Sequence, residues 1–231
     1  MGILDLLFPK KCVGCKKSGG YFCANCVADI KQTDLVCPKC ERLAVGGVTH
    51  PICKRKFGLD GLWSLGIYNE PLRSAIQKLK YKGVEELAQI LVGITLKYWA
   101  EYQPFVLDEI KKSGGKDWQI IPVPLHWFRE NSRGFNQAAL IGQLLSKKLG
   151  LSYYEAIKRT RYTKQQVRLK GKERQQNIRG AFTIDSRFHG NDNVNVLLID
   201  DVWTTGSTLR ECCYVLKRAG AKKVWALTLA R

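Results

Sequence analysis

Apolar and polar positions divide this chain into segments with distinct periods. Val194, Val196, Leu197, Leu198 and Ile199 form a nearly continuous apolar run, which suits a strand buried on both faces in a parallel sheet. Leu62 to Tyr68 alternates enough for a strand, and Gln119 to Leu125 and Lys223 to Leu229 read as two more. Helical patterns cover Pro71 to Lys82 and Val84 to Tyr102, broken at Gly83. Gln103 to Asp117, with Pro104, Gly114 and Gly115, reads as a loop or short helix. Asn136 to Leu149 is an amphipathic helix ended by Gly150, and Leu209 to Ala219 is a helix ending at Gly220.

The join between one strand and one helix carries chemistry. Residues 194–209 read VNVLLIDDVWTTGSTL, in the order strand, acidic pair, hydroxyl-and-glycine turn, helix. Ligands of open α/β sheets bind beyond the carboxyl ends of the strands. Backbone N–H groups at a helix start hold an anion well. Gly206 lets the backbone approach a phosphate, and Thr204, Thr205, Ser207 and Thr208 offer hydroxyl donors. Asp200 and Asp201 cannot bind phosphate directly. They can accept hydrogen bonds from ribose hydroxyls, or share a Mg²⁺ that also carries a diphosphate. A merely capped helix after a strand is the bland alternative, and no GxxxxGK[ST] Walker loop is present. The stretch resembles the phosphoribosyl diphosphate (PRPP) motif of type I phosphoribosyltransferases. That resemblance implies that Asp200 and Asp201 hold the ribose 2′- and 3′-hydroxyls, as the catalytic candidates. It implies that Thr204, Thr205, Gly206, Ser207 and Thr208 cradle the 5′-phosphate.

Seven of the nine cysteines lie between Cys12 and Cys53, so cysteine chemistry is confined to the first quarter of the chain. They form CxxC pairs at Cys12/Cys15, Cys23/Cys26 and Cys37/Cys40, followed by His50 and Cys53 as HxxC. One CxxC knuckle supplies two thiolates, and two knuckles complete a tetrahedron. Two structural zinc ribbons in sequence order are expected: Cys12, Cys15, Cys23 and Cys26, then Cys37, Cys40, His50 and Cys53. Spacing alone does not fix this pairing, and a disulfide framework is the alternative. A region this small cannot build a large core, so metal would supply folding energy on the order of 10 kcal/mol. Cys212 and Cys213 have no second pair nearby and read as small core or surface residues, not ligands.

Length and charge narrow the possibilities. The 231 residues leave room for a small domain over residues 1–60 and a main one over 61–231. No apolar run reaches the ~18–20 residues that cross a bilayer. The start, MGILDLLFPKKC, is a poor secretory signal, because its basic residues follow the apolar stretch. The formal charge of +18 points to a polyanionic partner. Two metal-bound thiolate sets would lower it to about +15, still strongly basic.

Two further stretches fit that partner. His126 to Gln137, HWFRENSRGFNQ, leaves a strand end and enters a helix, which places Arg129, Arg133 and Asn136 to meet a second anion. Asn136 serves equally as a helix cap, and no carboxylate partner can be named for His126. Lys158 to Arg179 carries nine basic residues, Arg159, Arg161, Arg168, Arg174 and Arg179 among them, against the single acid Glu173. Such a stretch is a mobile lid, a basic arm along a phosphate backbone, or a solvated loop. Ile184 to Asn193 is a polar connector.

The cysteine-rich start, KLKYKG at 78–83, PVPLHWFRENSRGFNQA at 122–138, and the PRPP stretch occur together with a fifth pattern. In that pattern Arg161, Thr163, Gln166, Leu169, Glu173, Arg174, Asn177, Gly180, Ala181 and Phe182 hold R-x-T-x-x-Q-x-x-L-x-x-x-E-R-x-x-N-x-x-G-A-F. Together they resemble the ComF family over nearly the whole chain, with His50 standing where the family usually has cysteine. The resemblance implies an α/β type I phosphoribosyltransferase fold, a mainly parallel sheet flanked by helices, behind a double zinc ribbon. It implies a diphosphate loop at Arg129, Arg133 and Asn136, and Mg²⁺ with PRPP. It also implies handling of single-stranded DNA at the cytoplasmic face during natural transformation, beside a helicase-like competence ATPase. A salvage phosphoribosyltransferase and a non-catalytic PRPP sensor remain the other expectations.

Overall fold

The structure is a computed structural model and describes residues 10–81, 85–102, 104–161, 178–186, 188 and 194–231. Five strands form one parallel sheet: β1 (Gly61–Gly66), β2 (Trp118–Pro122), β3 (Ser152–Tyr153), β6 (Asn195–Val202) and β7 (Lys223–Ala230). Their order across the sheet is β1-β7-β6-β2-β3, so β6 lies at the centre, and every neighbouring pair is parallel. Parallel strands need helical crossovers, which cover both faces.

Alternation along the central strands sends side chains to opposite faces. Leu197 and Ile199 of β6 join Trp225, Leu227 and Leu229 of β7 in one core layer. That layer is closed by α2 (Leu72–Lys78), α3 (Glu85–Tyr102), α4 (Phe105–Lys112) and α6 (Gln137–Leu149) through Ile76, Leu91, Ile110 and Leu145. Val196, Leu198, Val224 and Ala226 face the other way, onto α7 (Ser207–Arg218) through Leu209, Cys212, Cys213 and Leu216. Cys212 and Cys213 are therefore core residues, the first of the two placements left open for them.

The first fifty described residues are mostly turns. They hold α1 (Ala24–Ala28) and two single-turn helices, Val45–Gly47 and Pro51–Cys53. This region shares both core layers instead of making its own. Val13, Phe22 and Ile30 pack in the first layer, Val36 and Leu59 in the second. Backbone bonds continue the join: the Asp60 amide donates to the Val224 carbonyl, and the Ile67 amide to Lys31.

Three differences from the periodicity reading, and one choice between its alternatives, have physical causes. β1 is buried at all six positions, because α-helices and the N-terminal turns cover its two faces. The stretch after Pro104 takes the short-helix alternative, as α4, and sets Val106, Leu107 and Ile110 inward. The segment HWFRENSR forms a short helix, α5 (Trp127–Arg133), not a plain loop, because the His126 ring accepts the Phe128 amide at its start. The basic segment does not begin as a lid. Lys158 and Arg159 lie in β4 (Ile157–Arg159), which pairs antiparallel with β5 (Phe182–Ile184). Lys158 there pairs with the buried Asp185 at 2.9 Å. Ile184 likewise belongs to β5 and not to the polar connector. Arg168, Arg174, the Gly83 break and most of that connector lie outside the described residues.

Candidate functional site

The metal-ligating candidates assemble in sequence order. Cys12, Cys15, Cys23 and Cys26 bring their sulfurs within 4.8 Å of one another, and so do the donor atoms of Cys37, Cys40, His50 and Cys53. A tetrahedral ion with Zn–S bonds of ordinary length separates its sulfurs by about 3.8 Å. The Cys12–Cys23 and Cys15–Cys23 sulfurs are 3.7 Å apart, which fits. His50 fits as well. Its Nε2 lies 2.9 Å from the Leu43 carbonyl, which can only accept, so the proton sits there and Nδ1 is left bare. Nδ1 faces the Cys40 sulfur at 3.4 Å.

The knuckles favour anionic sulfur in part before any ion arrives. Burial opposes the charge on Cys12, but the amides of Cys23, Cys15 and Gly14 outweigh it and bring the thiol down to about 6. Cys37 comes down to about 7 in the same way, through the Cys40, His50 and Lys39 amides. Burial and the neighbouring sulfurs push Cys26 up to about 12 and Cys53 up to about 11. Four thiols crowded together cannot all ionise without a cation between them. Both groups are closed sets of S₄ and S₃N donors, the chemistry of a structural metal.

The second site is a cleft of about 750 Å³ at the carboxyl ends of the central strands. Asp200 and Asp201 enter it from the end of β6, and Thr204, Gly206, Ser207 and Thr208 border it from the turn into α7. Thr205 lies one step away, its hydroxyl 2.8 Å from that of Ser207. Gly206 sits at φ 66° as the N-cap of α7, and a Cβ there would fall 2.2 Å from the Trp203 indole. The glycine is thus required by the turn and by Trp203 beneath it, as well as by any ligand above.

Asp200 is half-buried at the floor of the cleft, and its carboxyl is held well above the ordinary aspartate value. Desolvation is the first cause and the charge of Asp201 the second. The Asp201 amide donates to Asp200 Oδ1 at 2.8 Å, which partly offsets both. A desolvated carboxyl beside a second one is a place for a cation or for hydroxyl donors.

The opposite wall comes from α5 and the start of α6. Arg133 lines the cleft and donates to the Gln137 side-chain carbonyl at 3.1 Å. Arg129 lies on α5. Asn136 is the N-cap of α6: its Oδ1 accepts the Ala138 amide and its Nδ2 donates to the Val123 carbonyl, both at 3.0 Å. Its side chain is thus committed to the fold. His126 is 4% exposed and caps α5.

Several cleft residues had no assigned role. Lys80 stands 3.6 Å from Asp201 Oδ2, and Arg73 and Gln77 of α2 border the same space. KLKYKG at 78–83 was the signal for Lys80, as a motif with no role attached. Arg159 reaches the cleft from β4. Arg161 and Arg179 flank the stretch 162–177, and the Arg161 guanidinium donates to the Arg179 carbonyl at 2.6 Å. The Gly180 amide then donates to Glu211 of α7. The two described ends of the basic segment are therefore tied to each other and to α7, and Arg179 and Gly180 line a second cavity with Glu211. No helix among the described residues is long and apolar enough to cross a membrane.

A parallel sheet with paired acids at the end of its central strand and a hydroxyl loop opening the next helix defines a type I phosphoribosyltransferase fold. A family model described as "Phosphoribosyl transferase domain" matches residues 136–231. The chain is 31% identical over 223 residues to "Competence protein F" of Haemophilus influenzae, covering 95% of this chain and 90% of that one. It is 32% identical over 213 residues to "DNA utilization protein YhgH" of Escherichia coli K12, covering 89% and 88%. It is 26% identical over 221 residues to "Competence protein ComFC" of Bacillus subtilis, covering 90% and 83%. The chain belongs to the ComF family.

Proposed function

We propose that this protein binds PRPP with Mg²⁺ in the cleft and handles single-stranded DNA during natural transformation. The observation that carries the reading is the half-buried Asp200–Asp201 pair beside the N-terminus of α7. The two carboxylates hold the ribose hydroxyls, and a Mg²⁺ shared with the diphosphate relieves their repulsion. Residues 204–208 cradle the 5′-phosphate at the positive end of the α7 dipole. Arg133, with Arg129 and Lys80, meets the diphosphate, while Asn136 shapes that wall as a cap.

The DNA part rests on the charge of +18 and on the names of the relatives, two of them competence proteins and one a DNA utilization protein. Arg159, Arg161, Arg168, Arg174 and Arg179 belong to a basic segment that starts at the cleft with Arg159 and whose described ends are tied together by the Arg161–Arg179 bond. Both knuckle sets carry structural zinc in residues 1–60, and residues 61–231 form the phosphoribosyltransferase-type domain. The protein works in the cytoplasm at the inner membrane face, beside a helicase-like competence ATPase.

Calorimetry of PRPP with and without Mg²⁺, and with and without a short single strand, tests the reading. PRPP should bind in a Mg²⁺-dependent way, and Asp200→Ala with Asp201→Ala should abolish binding. Changing Arg161, Arg168, Arg174 and Arg179 to Gln should weaken the strand and flatten its salt dependence by about one unit of log–log slope per lost phosphate contact. Diphosphate release on adding a base would make the site a salvage transferase. PRPP binding with neither release nor DNA affinity would make it a sensor. Absence of PRPP binding with Mg²⁺ would overturn the cleft reading.

A further inference from the structure

Arg210 belongs to neither site as described, yet it touches both. It rises from the first turn of α7 and lies over the Trp203 indole, 5.0 Å from guanidinium carbon to ring centroid. Its Nε and Nη2 both donate to the Pro38 carbonyl, at 3.1 and 2.7 Å. Pro38 is inside the second knuckle, between the ligand candidates Cys37 and Cys40. Its Nη1 donates to the Thr205 carbonyl, in the middle of the hydroxyl loop. Nη2 also faces the Glu41 carboxylate at 3.3 Å.

We infer that Arg210 is a positioning residue that links the second metal site to the phosphate loop, so that metal occupancy sets the loop's affinity for a phosphate ester. The inference rests on the reading of residues 204–208 as the 5′-phosphate cradle. A guanidinium is a planar fork with donors at fixed angles. It reaches both carbonyls only while knuckle and loop keep their spacing. The Pro38 carbonyl is aimed by a knuckle that four ligands bend around one ion. Without the ion that bend is no longer imposed, and Arg210 loses the acceptor that takes two of its three donor groups. The loop has little slack to absorb the change. Gly206 is pressed against Trp203, and Trp203 is tied to β7 through the Ala230 carbonyl. The Thr205 peptide therefore turns, and with it the amides and hydroxyls that face the ligand.

Coupling between two binding events is reciprocal. Two measurements on the full-length, metal-loaded protein follow. PRPP with Mg²⁺ should slow chelator extraction of one of the two metals about fivefold or more, and leave the other, at the first knuckle pair, unchanged. Equal extraction of both, with and without PRPP, would overturn the coupling. In calorimetry, Arg210→Lys and Cys40→Ser should each weaken PRPP about tenfold. The double variant should be no weaker than either alone, because both remove one linkage. Arg210→Lys keeps the charge and the helix, so its melting temperature should stay close to that of the unmodified protein. Unchanged affinity, or losses that simply multiply, would overturn the link while the PRPP reading stands. Failure of the unmodified protein to bind PRPP would overturn the loop reading and the link with it.

Discussion

The knuckle region, residues 10–60, and the sheet region, the described residues from 61 onward, reach order by opposite routes. The first has one five-residue helix, two single turns and isolated bridges, with most backbone bonds spent on tight turns. Its shape follows from where sulfur atoms must converge. The second is ordered by burial: β6 and β7 are apolar on both faces, and helices close over them. The difference teaches where each is vulnerable. One depends on an ion and on thiolate protonation, the other on packing volume and on the strain of one turn. They nevertheless meet through Asp60, which accepts from the Val224 amide and pairs with Lys217 at 2.7 Å.

The largest test of that contrast is metal removal. Chelation, or acid that protonates the thiolates, should unfold residues 10–60, since structural zinc supplies on the order of 10 kcal/mol of folding energy. Limited proteolysis with zinc counting should show early cleavage there, with the sheet region cut later. Simultaneous loss of both regions would erase the distinction and make the shared core one cooperative unit.

Next in size is Gly206→Ala. It combines a left-handed backbone with a Cβ pressed into Trp203, and should cost about 2 kcal/mol. Urea melts should show the loss in the sheet region, with the zinc content unchanged. A neutral result would mean that Trp203 can move aside.

Asp200→Asn sharpens the comparison through pH. The folded protein keeps the Asp200 proton at pH values where an unfolded chain has released it, because its carboxyl is raised by burial and by Asp201. Folding then binds protons in that window, so Asp200 makes the fold less stable as pH rises above the ordinary aspartate value of 3.8. The Asn variant lacks this loss. Its melting temperature should exceed that of the unmodified protein near neutrality, and the gap should close as pH falls towards 3.8. The same variant should bind PRPP more weakly. A gap that widened in acid would contradict the burial of a protonated carboxyl.

The smallest effect on stability belongs to Lys80→Met. The Lys80–Asp201 pair is partly exposed and 3.6 Å long, so its loss should change stability by less than about 1 kcal/mol. PRPP affinity should fall nonetheless. A stability loss as large as that of Gly206→Ala would make Lys80 a structural residue.

Local signals made much of the site legible. Each CxxC knuckle is four residues long, so spacing alone announces two converging donors, and the order of pairing came out as expected. The strand, acids, turn and helix of residues 195–218 are contiguous, and each part carries its own signature. The α5 helix was hidden because it is short, mostly exposed and polar, with no apolar stripe to give a period. Asn136 had two compatible roles, and the geometry of its two bonds selects the cap. The beginning of the basic segment was misread because a strand edge rich in Lys and Arg looks like a loop until Ile157 and Phe182 are seen to be buried.

By itself, then, the sequence determined the chemistry of the two ligand groups, the parallel sheet and the acid-and-hydroxyl turn, because each is encoded by neighbours along the chain. The tertiary structure alone decided what joins them. Lys80, Arg133 and Arg159 reach one cleft from the turn after α2, from α5 and from β4, far apart in sequence. Arg210 bridges 172 positions to Pro38. Such contacts leave no periodic or spacing signal, since they exist only once burial has folded the crossovers of the sheet and fixed which loops share an edge.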